Sequence, residues 1–270
     1  MKQISAAGYD ARPECSEMTD SGVPDLPGSD FSRSFGSEAL RYDRYRPSYP
    51  VVAIEHALRG ARRGRVLDLG AGTGKLAAAL VGRASEVLAV EPDEKMRAVL
   101  AQTVPSVTAL AGSAEDIPLP DTSVDAVLAG QAFHWFRRPH ADHEIARILR
   151  PGGAVGLIWN YPDRDVEWVP KLYRATGDGV PPWTHRHEAL DPSLFTMSTE
   201  AWFGSSHHLD GPDGLLNLVH TWSWVITRPA SEHVEIDNRV RAIVAEYPQL
   251  QGPDIVLPQQ TLVVRCRRRR

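Results

Sequence analysis

The sequence predicts an α/β fold built around a doubly wound, mostly parallel sheet. Two observations support this: short apolar strands alternate with helical segments through the middle of the chain, and a glycine-rich turn follows the first strand. Strands that are apolar on both faces are typical of a parallel sheet covered by helices on both sides. The 270 residues, 42% of them hydrophobic, are enough for one buried core with an added cap.

The predicted elements follow one another in strand–helix order. The five central strands are predicted over residues 65–69, 87–90, 107–111, 124–129 and 154–159. Helices over 75–81, 95–102 and 140–149 connect them, after two short helices around 35–42 and 50–58. Beyond residue 159 the pattern continues with helices over 166–175, 214–225 and 232–246 and strands over 202–209 and 262–266. Parallel neighbours should be joined by right-handed crossovers.

The chain is expected to contain one domain. Residues 1–30 are rich in Pro, Gly, Ser and acidic residues and lack periodic apolar residues, which predicts a disordered leader. Residues 31–270 then form the domain, in which residues 166–250 supply a substrate lid. This segment holds many prolines and five tryptophans, and its periodicity is weaker than that of the preceding part of the chain.

Charge and cysteine content narrow the class of protein. The formal net charge is −4, so there is no global basic excess to attract nucleic acid or an anionic membrane. The run Arg267–Arg270 is a local exception, expected to be a solvated tail. The two cysteines are far apart in the sequence and indicate neither a disulfide framework nor a metal cluster. With no signal peptide or apolar span visible, we expect a soluble cytoplasmic protein without a bound metal.

The strongest signal is the run V-L-D-L-G-A-G-T-G-K at residues 66–75. Glycine permits a sharp turn and lets a ligand lie against bare backbone, and a helix start offers free N–H groups. The spacing G-x-G-x-G differs from the G-x-G-x-x-G of dinucleotide sites, and Asp68 would repel a pyrophosphate. A carboxylate there can instead meet the ammonium of a cofactor that carries an amino acid. An ordinary tight turn is the alternative interpretation.

Two further turns follow the next two strands. Glu91 ends the second strand in A-V-E-P-D, where a carboxylate can accept both hydroxyls of a ribose. A-G-S-A-E-D-I-P-L-P, residues 111–120, follows the third strand and places Ser113, Ala114 and Glu115 where they can meet an adenine edge. Because the carboxyl ends of parallel strands share one edge of the sheet, the three turns predict one nucleoside site.

Together these motifs resemble the class I S-adenosylmethionine-dependent methyltransferases. Y-D-R-Y-R-P-S-Y-P at residues 42–50 and G-Q-A-F-H-W-F at 130–136 resemble, more narrowly, the branch that includes trans-aconitate methyltransferase and other small-molecule enzymes. The resemblance runs from about residue 35 to residue 168. It implies a seven-stranded sheet with an antiparallel last strand, and S-adenosylmethionine as the cofactor.

The resemblance also implies roles for individual residues. The methionine moiety of the cofactor would lie beside Asp68, Gly70, Ala71 and Gly72. Glu91 would bind the ribose, with Pro92 and Met96 near the adenine. Ser113, Ala114 and Glu115 would hold the adenine edge, although many members carry Asp where this chain has Ser113. Gln131 would line the cofactor near its sulfonium, and Tyr42 and Arg46 would close the pocket, with Arg46 pairing with the cofactor's carboxylate.

The acceptor side is expected to be aromatic. A sulfonium is a cation that aromatic faces favour, and the candidates for this contact are Tyr42, Tyr45, Phe133 and Trp135. His134 follows the fourth strand and can take a proton from a hydroxyl, whereas a carboxylate acceptor needs no base. Asn160 and Trp222 are further candidates for substrate contact. Structural roles in the core remain the alternative for each of these residues.

The predicted reaction is methyl transfer to a small molecule, at a hydroxyl or carboxylate oxygen. A methyltransferase acting on nucleic acid or protein is one alternative, supported only by the run Arg267–Arg270. A cofactor-binding protein without catalysis is another alternative. A nicotinamide oxidoreductase is disfavoured by the glycine spacing and by Asp68. The sequence does not indicate an oligomeric state.

Overall fold

The computed structural model describes residues 39–177 and 190–270. The predicted leader over residues 1–30 and the first residues of the predicted helix at 35–42 lie outside the described residues, as do lid residues 178–189.

The described chain forms the predicted alternation of strands and helices. The strands are β1 Arg65–Leu69, β2 Glu86–Glu91, β3 Thr108–Ala111, β4 Val124–Gly130, β5 Leu149–Pro162, β6 Thr199–Leu209 and β7 Ile255–Arg267. The α-helices are α1 Ala39–Tyr45, α2 Val51–Ala57, α3 Lys75–Leu80, α4 Glu94–Thr103, α5 His140–Ile148, α6 Trp168–Ala175, α7 Gly211–Val219, α8 Ser223–Ile226 and α9 Ala230–Glu246. Short 3-10 helices lie at Phe133–Trp135 and Pro248–Leu250.

The seven strands form one sheet in the order β3-β2-β1-β4-β5-β7-β6. Strands β1 to β5 pair in parallel, whereas β7 runs antiparallel to both β5 and β6. The chain moves outward from β1 to β3 and then returns to β4 on the other side of β1. Ligands of open α/β sheets bind at such a reversal, outside the carboxyl ends of the strands.

Apolar side chains form a core on each face of the sheet and a third core built mainly from residues 166–250, the segment that is predicted to form a lid and is called the lid below. One face packs Leu67, Val127 and Leu157 beneath α5, and the opposite face packs Val66, Leu128 and Ile158 against α2 and α3. A third cluster joins α6, α7, α8 and α9 to the amino-terminal half of β7. The segment predicted to form a lid therefore has its own hydrophobic core, continuous with the sheet through β6 and β7.

Two elements differ from the prediction. Strands β5 and β7 extend well beyond the predicted 154–159 and 262–266, because they pair from Ala154–Arg267 to Pro162–Gln259 and so stabilise each other's ends. The predicted helix over 214–225 is broken: α7 ends at Val219, and Trp222, with extended dihedral angles, precedes α8. The break leaves the Thr221 carbonyl available to the side chain of Arg46, which follows α1.

The described ranges contain neither a membrane-spanning helix nor a group of side chains suited to a metal. No helix there is both long enough and apolar enough to cross a bilayer. No group of three His, Cys, Asp or Glu side chains there is placed to hold a metal ion.

Candidate active site

The glycine turn begins where β1 ends. The N–H groups of Gly70 and Ala71 both donate to the Val90 carbonyl at the end of β2, at 2.9 and 3.1 Å. Gly70, Gly72 and Gly74 have φ values of 69°, 56° and 88°, which favour glycine over any other residue. A Cβ at Gly70 would lie 2.7 Å from that of Ala132, whereas one at Gly72 would meet no protein atom within 4 Å. Gly72 therefore presents bare backbone to open space.

Asp68 lies under this turn with its carboxylate buried. The residue is 1% exposed, and neither carboxylate oxygen has a hydrogen-bond partner. Burial raises the pKa of Asp68 to about 8, and the nearby Glu91 carboxylate adds to the shift, while the Ala77 N–H opposes it only in part. A buried, unpartnered carboxylate is costly in the free protein, so its presence in the wall of a cavity indicates a cationic ligand.

Glu91 closes the turn from the neighbouring strand. Its Oε2 accepts the Gly72 N–H at 2.8 Å, and its Oε1 accepts the Asp93 N–H at 2.9 Å. Burial raises the pKa of Glu91, although both N–H groups favour the ionised form. Each oxygen accepts one of these bonds and retains a lone pair toward the cavity, which suits two hydroxyls of a sugar. Asp93 caps α4 by accepting the N–H groups of Lys95 and Met96.

The turn after β3 is held by its own side chains. The Glu115 N–H donates to Ser113 Oγ at 3.2 Å, and backbone bonds join Ser113 and Asp116 in both directions. The Glu115 carboxylate accepts the Arg137 N–H at 2.7 Å, so it fixes the loop that follows β4. One oxygen of the Glu115 carboxylate is thus engaged within the protein, and the adenine contacts of this turn stay predictions.

Arg46 links the segment between α1 and α2 to the lid. Its Nη2 donates to the Thr221 carbonyl at 2.8 Å, and its guanidinium lies 5.1 Å from the centre of the Tyr42 ring. Its Nε is buried without a hydrogen-bond partner. One face of Tyr42 is thus covered by Arg46, and the unpartnered Nε–H favours an anion in the cavity.

Tyr49 lies against the end of β4. A Cβ at Gly130 would collide with the Tyr49 hydroxyl and ring, so glycine at that position allows the tyrosine to approach. Burial raises the pKa of Tyr49 well above its usual value, and Tyr42 and Asp68 add to the shift. The Tyr49 hydroxyl therefore stays protonated at any physiological pH and can serve as a hydrogen-bond donor.

Three aromatic rings of the lid form an aromatic shelf, which consists of Tyr173, Trp222 and Trp224. Tyr173 stacks on Trp222 with ring centres 4.4 Å apart and an angle of 16° between the planes. Trp224 lies 5.0 Å from Trp222, and its Nε1 donates to Thr176 Oγ1 at 3.1 Å. Because these rings are fixed by one another and by Thr176, they offer a rigid apolar wall.

These features line one cavity of about 360 Å³. Every residue predicted to contact the cofactor lies in its wall: Tyr42, Arg46, Asp68, Gly70, Ala71, Gly72, Glu91, Pro92, Met96, Ser113, Ala114, Glu115 and Gln131. Four of the predicted acceptor contacts line it as well: His134, Trp135, Asn160 and Trp222. His134 is exposed at this wall. The contacts of these residues with a cofactor or acceptor stay predictions.

The structure corrects one acceptor contact and shows a structural role for another residue. Phe133 is buried in the core, edge-on to Phe136 and Trp159, and Phe136 lines the cavity in its place. Asn160 has its amide engaged: Nδ2 donates to the Ser48 carbonyl at 3.0 Å and Oδ1 accepts from Thr261 at 2.7 Å. Asn160 therefore positions the loop that carries Tyr49, and because it also lines the cavity its contact with an acceptor stays a prediction.

Sequence reasoning did not select several lining residues. Tyr49 lies within the motif at residues 42–50 but was not predicted as a site residue. Its close approach to Gly130 at the end of β4 is visible only in three dimensions. Trp224 lies two residues after Trp222, the only one of the two that was predicted to contact the substrate. Tyr173 had no chemical signal, because it follows the apolar spacing of α6 that any core helix shows.

The residues present fit a nucleoside that carries an amino acid. The unpartnered Asp68 carboxylate suits its ammonium, and the bare backbone of Gly72 allows close approach. Glu91 suits the sugar, and the apolar Met96 and Ala114 suit a base. A pyrophosphate would meet the Asp68 carboxylate here, so the site does not suit a dinucleotide.

Comparison with known proteins agrees with this geometry. Residues 67–157 match the family model described as a methyltransferase domain. An uncharacterised methyltransferase of Mycobacterium tuberculosis is 44% identical over 239 residues, which cover 88% of this chain and 96% of that protein. The chain belongs to this methyltransferase family.

Other methyltransferases match over shorter lengths or at lower identity. The malonyl-[acyl-carrier protein] O-methyltransferase of Methylococcus capsulatus is 38% identical over 135 residues, covering 46% of this methyltransferase and 49% of that enzyme. A solved structure assigned as a type II methyltransferase of Anaeromyxobacter dehalogenans covers 84% of this methyltransferase and 98% of that chain, with a TM-score of 0.58 and 26% identity. The predicted α/β fold and methyltransferase class are thereby confirmed, and the narrower trans-aconitate branch stays a prediction.

Proposed function

We propose that this methyltransferase transfers the methyl group of S-adenosylmethionine to an oxygen atom of a small, largely apolar acceptor. The observation that carries the cofactor assignment is the buried Asp68 carboxylate, which has no partner and faces the same cavity as Gly72 and Glu91. When bound, S-adenosylmethionine supplies a methyl group on a positively charged sulfur.

In this proposal the residues at the strand ends hold the cofactor. Asp68 accepts from its ammonium, Arg46 donates to its carboxylate through the free Nε–H, and Glu91 accepts the ribose hydroxyls. The Gly72 backbone lies against the amino-acid portion. Because Glu91 and Arg46 are fixed by backbone hydrogen bonds and Asp68 is held by burial before binding, little ordering is required at the moment of reaction.

The lid and the end of β4 orient the acceptor. The aromatic shelf provides an apolar wall for its body, and an acceptor bound against that wall displaces water that would compete as nucleophile. An acceptor oxygen then forms the new bond to carbon while the electron pair of the breaking bond returns to sulfur. His134 takes the proton from a hydroxyl acceptor, whereas a carboxylate acceptor has none to lose.

Two observations support a small-molecule acceptor that is methylated at an oxygen atom. The relative from Methylococcus capsulatus is named an O-methyltransferase, and the cavity is close to the lower end of the size range of ligand pockets. The run Arg267–Arg270 lies at the opposite end of the sheet, paired with the start of β5, so it does not support a nucleic acid as methyl acceptor at this cavity.

The proposal is tested by calorimetry and a methyl-release assay. Titration of the purified protein with S-adenosylmethionine should show one site, and titration with reduced nicotinamide cofactor should show none. Release of S-adenosylhomocysteine should then rise with planar carboxylic acids or phenols and not with amines or RNA. No binding of S-adenosylmethionine would overturn the cofactor assignment, and turnover with amines alone would overturn the choice of oxygen.

A further inference from the structure

A concentration of arginines lies at the end of the sheet opposite the cavity. It is formed by the loop before β1, the turn at the start of β5 and the end of β7. We call it the arginine face; its members are Arg59, Arg62, Arg63, Arg65, Arg150, Arg265, Arg267, Arg268, Arg269 and Arg270. Parallel strands all begin at one edge of a sheet, and β7 ends at that same edge because it is antiparallel.

Hydrogen bonds join the three segments into one surface. Arg267 donates from Nη2 to the Arg59 carbonyl at 3.2 Å and from Nη1 to the Gly152 carbonyl at 3.0 Å. Asp125 accepts the Arg65 N–H at 2.9 Å and pairs with Arg150 at 2.7 Å. The face is therefore a fixed part of the fold. The solvated tail expected for residues 267–270 is incorrect for residues 267–269, whose side chains are bonded to the body of the protein.

The positive charge of this face is largely uncompensated. Arg267, Arg268 and Arg269 bond to backbone carbonyls, which are neutral, so these guanidiniums keep their charge. Burial lowers the pKa of Arg265, and its neighbours Arg267 and Arg59 lower it further, as expected for crowded cations. Among residues 39–177 and 190–270, three carboxylates form ion pairs with the face: Glu55 with Arg63, Glu86 with Arg65, and Asp125 with Arg150.

The positive charge of the arginine face is opposite in sign to the net charge of the whole chain. The formal net charge of the protein is −4, so the remainder must be strongly acidic if ten arginines and three paired carboxylates share one end. A protein polarised in this way is attracted to an anionic surface by one end and repelled from it elsewhere. The charge therefore selects a single orientation against a surface.

Apolar side chains flank the arginines at the same end. Met197, which follows the Thr196 that bonds Arg267, is 90% exposed, and Val81, in the turn before β2, is 40% exposed. The ring of Phe195, two residues before Met197, is fully buried. Bases of single-stranded nucleic acid bind by stacking on exposed rings, whereas a lipid surface accepts exposed aliphatic side chains beside cations.

We infer that the arginine face docks this methyltransferase on the surface of an anionic phospholipid bilayer, with the active-site cavity pointing away from the membrane. Arginines contact the phosphate groups, and Met197 and Val81 enter the interface beside them. This is peripheral contact of one end of the molecule, and it is independent of the proposed methyl acceptor. The net charge of −4 predicts no such attraction, because it averages over both ends of the molecule.

The test is co-sedimentation of the full chain with vesicles. Phosphatidylcholine vesicles containing a minority of phosphatidylglycerol should bind the protein, and pure phosphatidylcholine vesicles should not. The variant carries Arg59→Gln, Arg62→Gln and Arg270→Gln, three exposed residues whose side chains make no hydrogen bond within the described part of the chain. Its affinity for the anionic vesicles should fall about a hundredfold, since each basic residue at such a surface contributes about fivefold.

A matched control removes the same charge elsewhere. Arg174→Gln, Arg239→Gln and Arg241→Gln change exposed arginines on α6 and α9 and should leave vesicle binding within about twofold of wild type. Met197→Ser should weaken binding by a smaller factor. Equal loss in both triple variants, no binding of wild type to anionic vesicles, or preferred binding of single-stranded RNA would each overturn the inference.

Discussion

At the scale of single residues, Asp68 makes the stability of the free protein depend on pH. Its carboxyl has a pKa of about 8 when folded and an ordinary value of 3.8 when unfolded. Between these values the folded state holds a proton that the unfolded state has lost, so stability falls as pH rises from about 4 to about 8. Urea unfolding across this range should show a loss of several kcal/mol that Asp68→Asn removes. A variant with the same pH dependence as wild type would contradict this assignment.

The same ionisation should govern cofactor affinity. The ammonium of S-adenosylmethionine favours the charged Asp68, so binding requires release of the proton below the pKa of that group. The dissociation constant measured by calorimetry should therefore fall up to about tenfold between about pH 6 and about pH 7, with proton release seen in buffers of different ionisation enthalpy. Asp68→Asn should bind weakly and without this dependence. Weak binding that kept the pH profile would point to another group.

Comparing alanine substitutions at Gly72 and Gly82 separates the effect of backbone strain on stability from the effect of a lost ligand contact on cofactor affinity. Both have positive φ, and a Cβ at either position would meet no protein atom within 4 Å. Alanine at each should destabilise the fold by about 1 kcal/mol through strain alone. Only Gly72→Ala should also weaken S-adenosylmethionine binding, by more than tenfold, because its methyl group would enter the cavity. Equal affinity in the two variants would place the cofactor elsewhere.

Sequence reasoning predicted those site residues that follow a strand directly. Asp68, Gly72 and Glu91 lie at strand ends, where position along the chain fixes position at the sheet edge. Phe133 was assigned wrongly because neighbours on a 3-10 turn point in different directions, and one of them faces the core. Tyr49 depends on a close approach to Gly130 across the sheet edge, which no local pattern encodes.

At the scale of elements, the polar side chain of Asn160 ties three segments together. It bonds the Ser48 carbonyl before α2 and the Thr261 hydroxyl on β7, and it is itself buried on β5. Asn160→Ala should destabilise the protein by about 2 to 3 kcal/mol, because one buried and one partly buried hydrogen bond are lost and Thr261 Oγ1 keeps only its 3.5 Å contact with Ser205 Oγ. Thermal denaturation measures this, and a shift of less than a degree would show that the tie is dispensable.

The matched control for this change is Asn217→Ala. The Asn217 amide also donates one hydrogen bond, to the Asp213 carbonyl, but on the exposed side of α7. Its loss should change stability by less than about 0.5 kcal/mol. Asn160→Ala should also raise the KM for the acceptor, since the loop it holds carries Tyr49 into the cavity, whereas Asn217→Ala should not.

Strand and helix boundaries were predicted best where the local pattern was not overridden by tertiary contacts. β1 was predicted over its observed range, because its apolar run ends at the glycine turn. The ends of β5 and β7 depend on pairing between segments about a hundred residues apart, which apolar periodicity does not report. The break between α7 and α8 is stabilised by the Arg46–Thr221 bond, a contact that also spans most of the chain.

At the scale of the whole molecule, the cavity lies between two separately packed bodies. The sheet supplies the glycine turn and Glu91, and the lid, with its own hydrophobic core, supplies the aromatic shelf. Arg46 bonds the lid at Thr221. A nucleoside held at the glycine turn contacts the sheet directly and reaches the lid through Arg46, so its binding should suppress the local opening of both bodies.

Hydrogen exchange measures this coupling directly. S-adenosylhomocysteine should slow exchange of the backbone amides at residues 70–74, 91–93 and 113–115, and also at 220–226 through Arg46. Arg46→Met should keep the protection of the sheet segments but lose that of the lid, because the bond to Thr221 is gone. The amides of α9, which lies outside the cavity wall, serve as the internal reference. Protection of the lid that survives in Arg46→Met would mean that the ligand reaches the aromatic shelf itself, and that Arg46 plays no part in transmitting binding from the sheet to the lid.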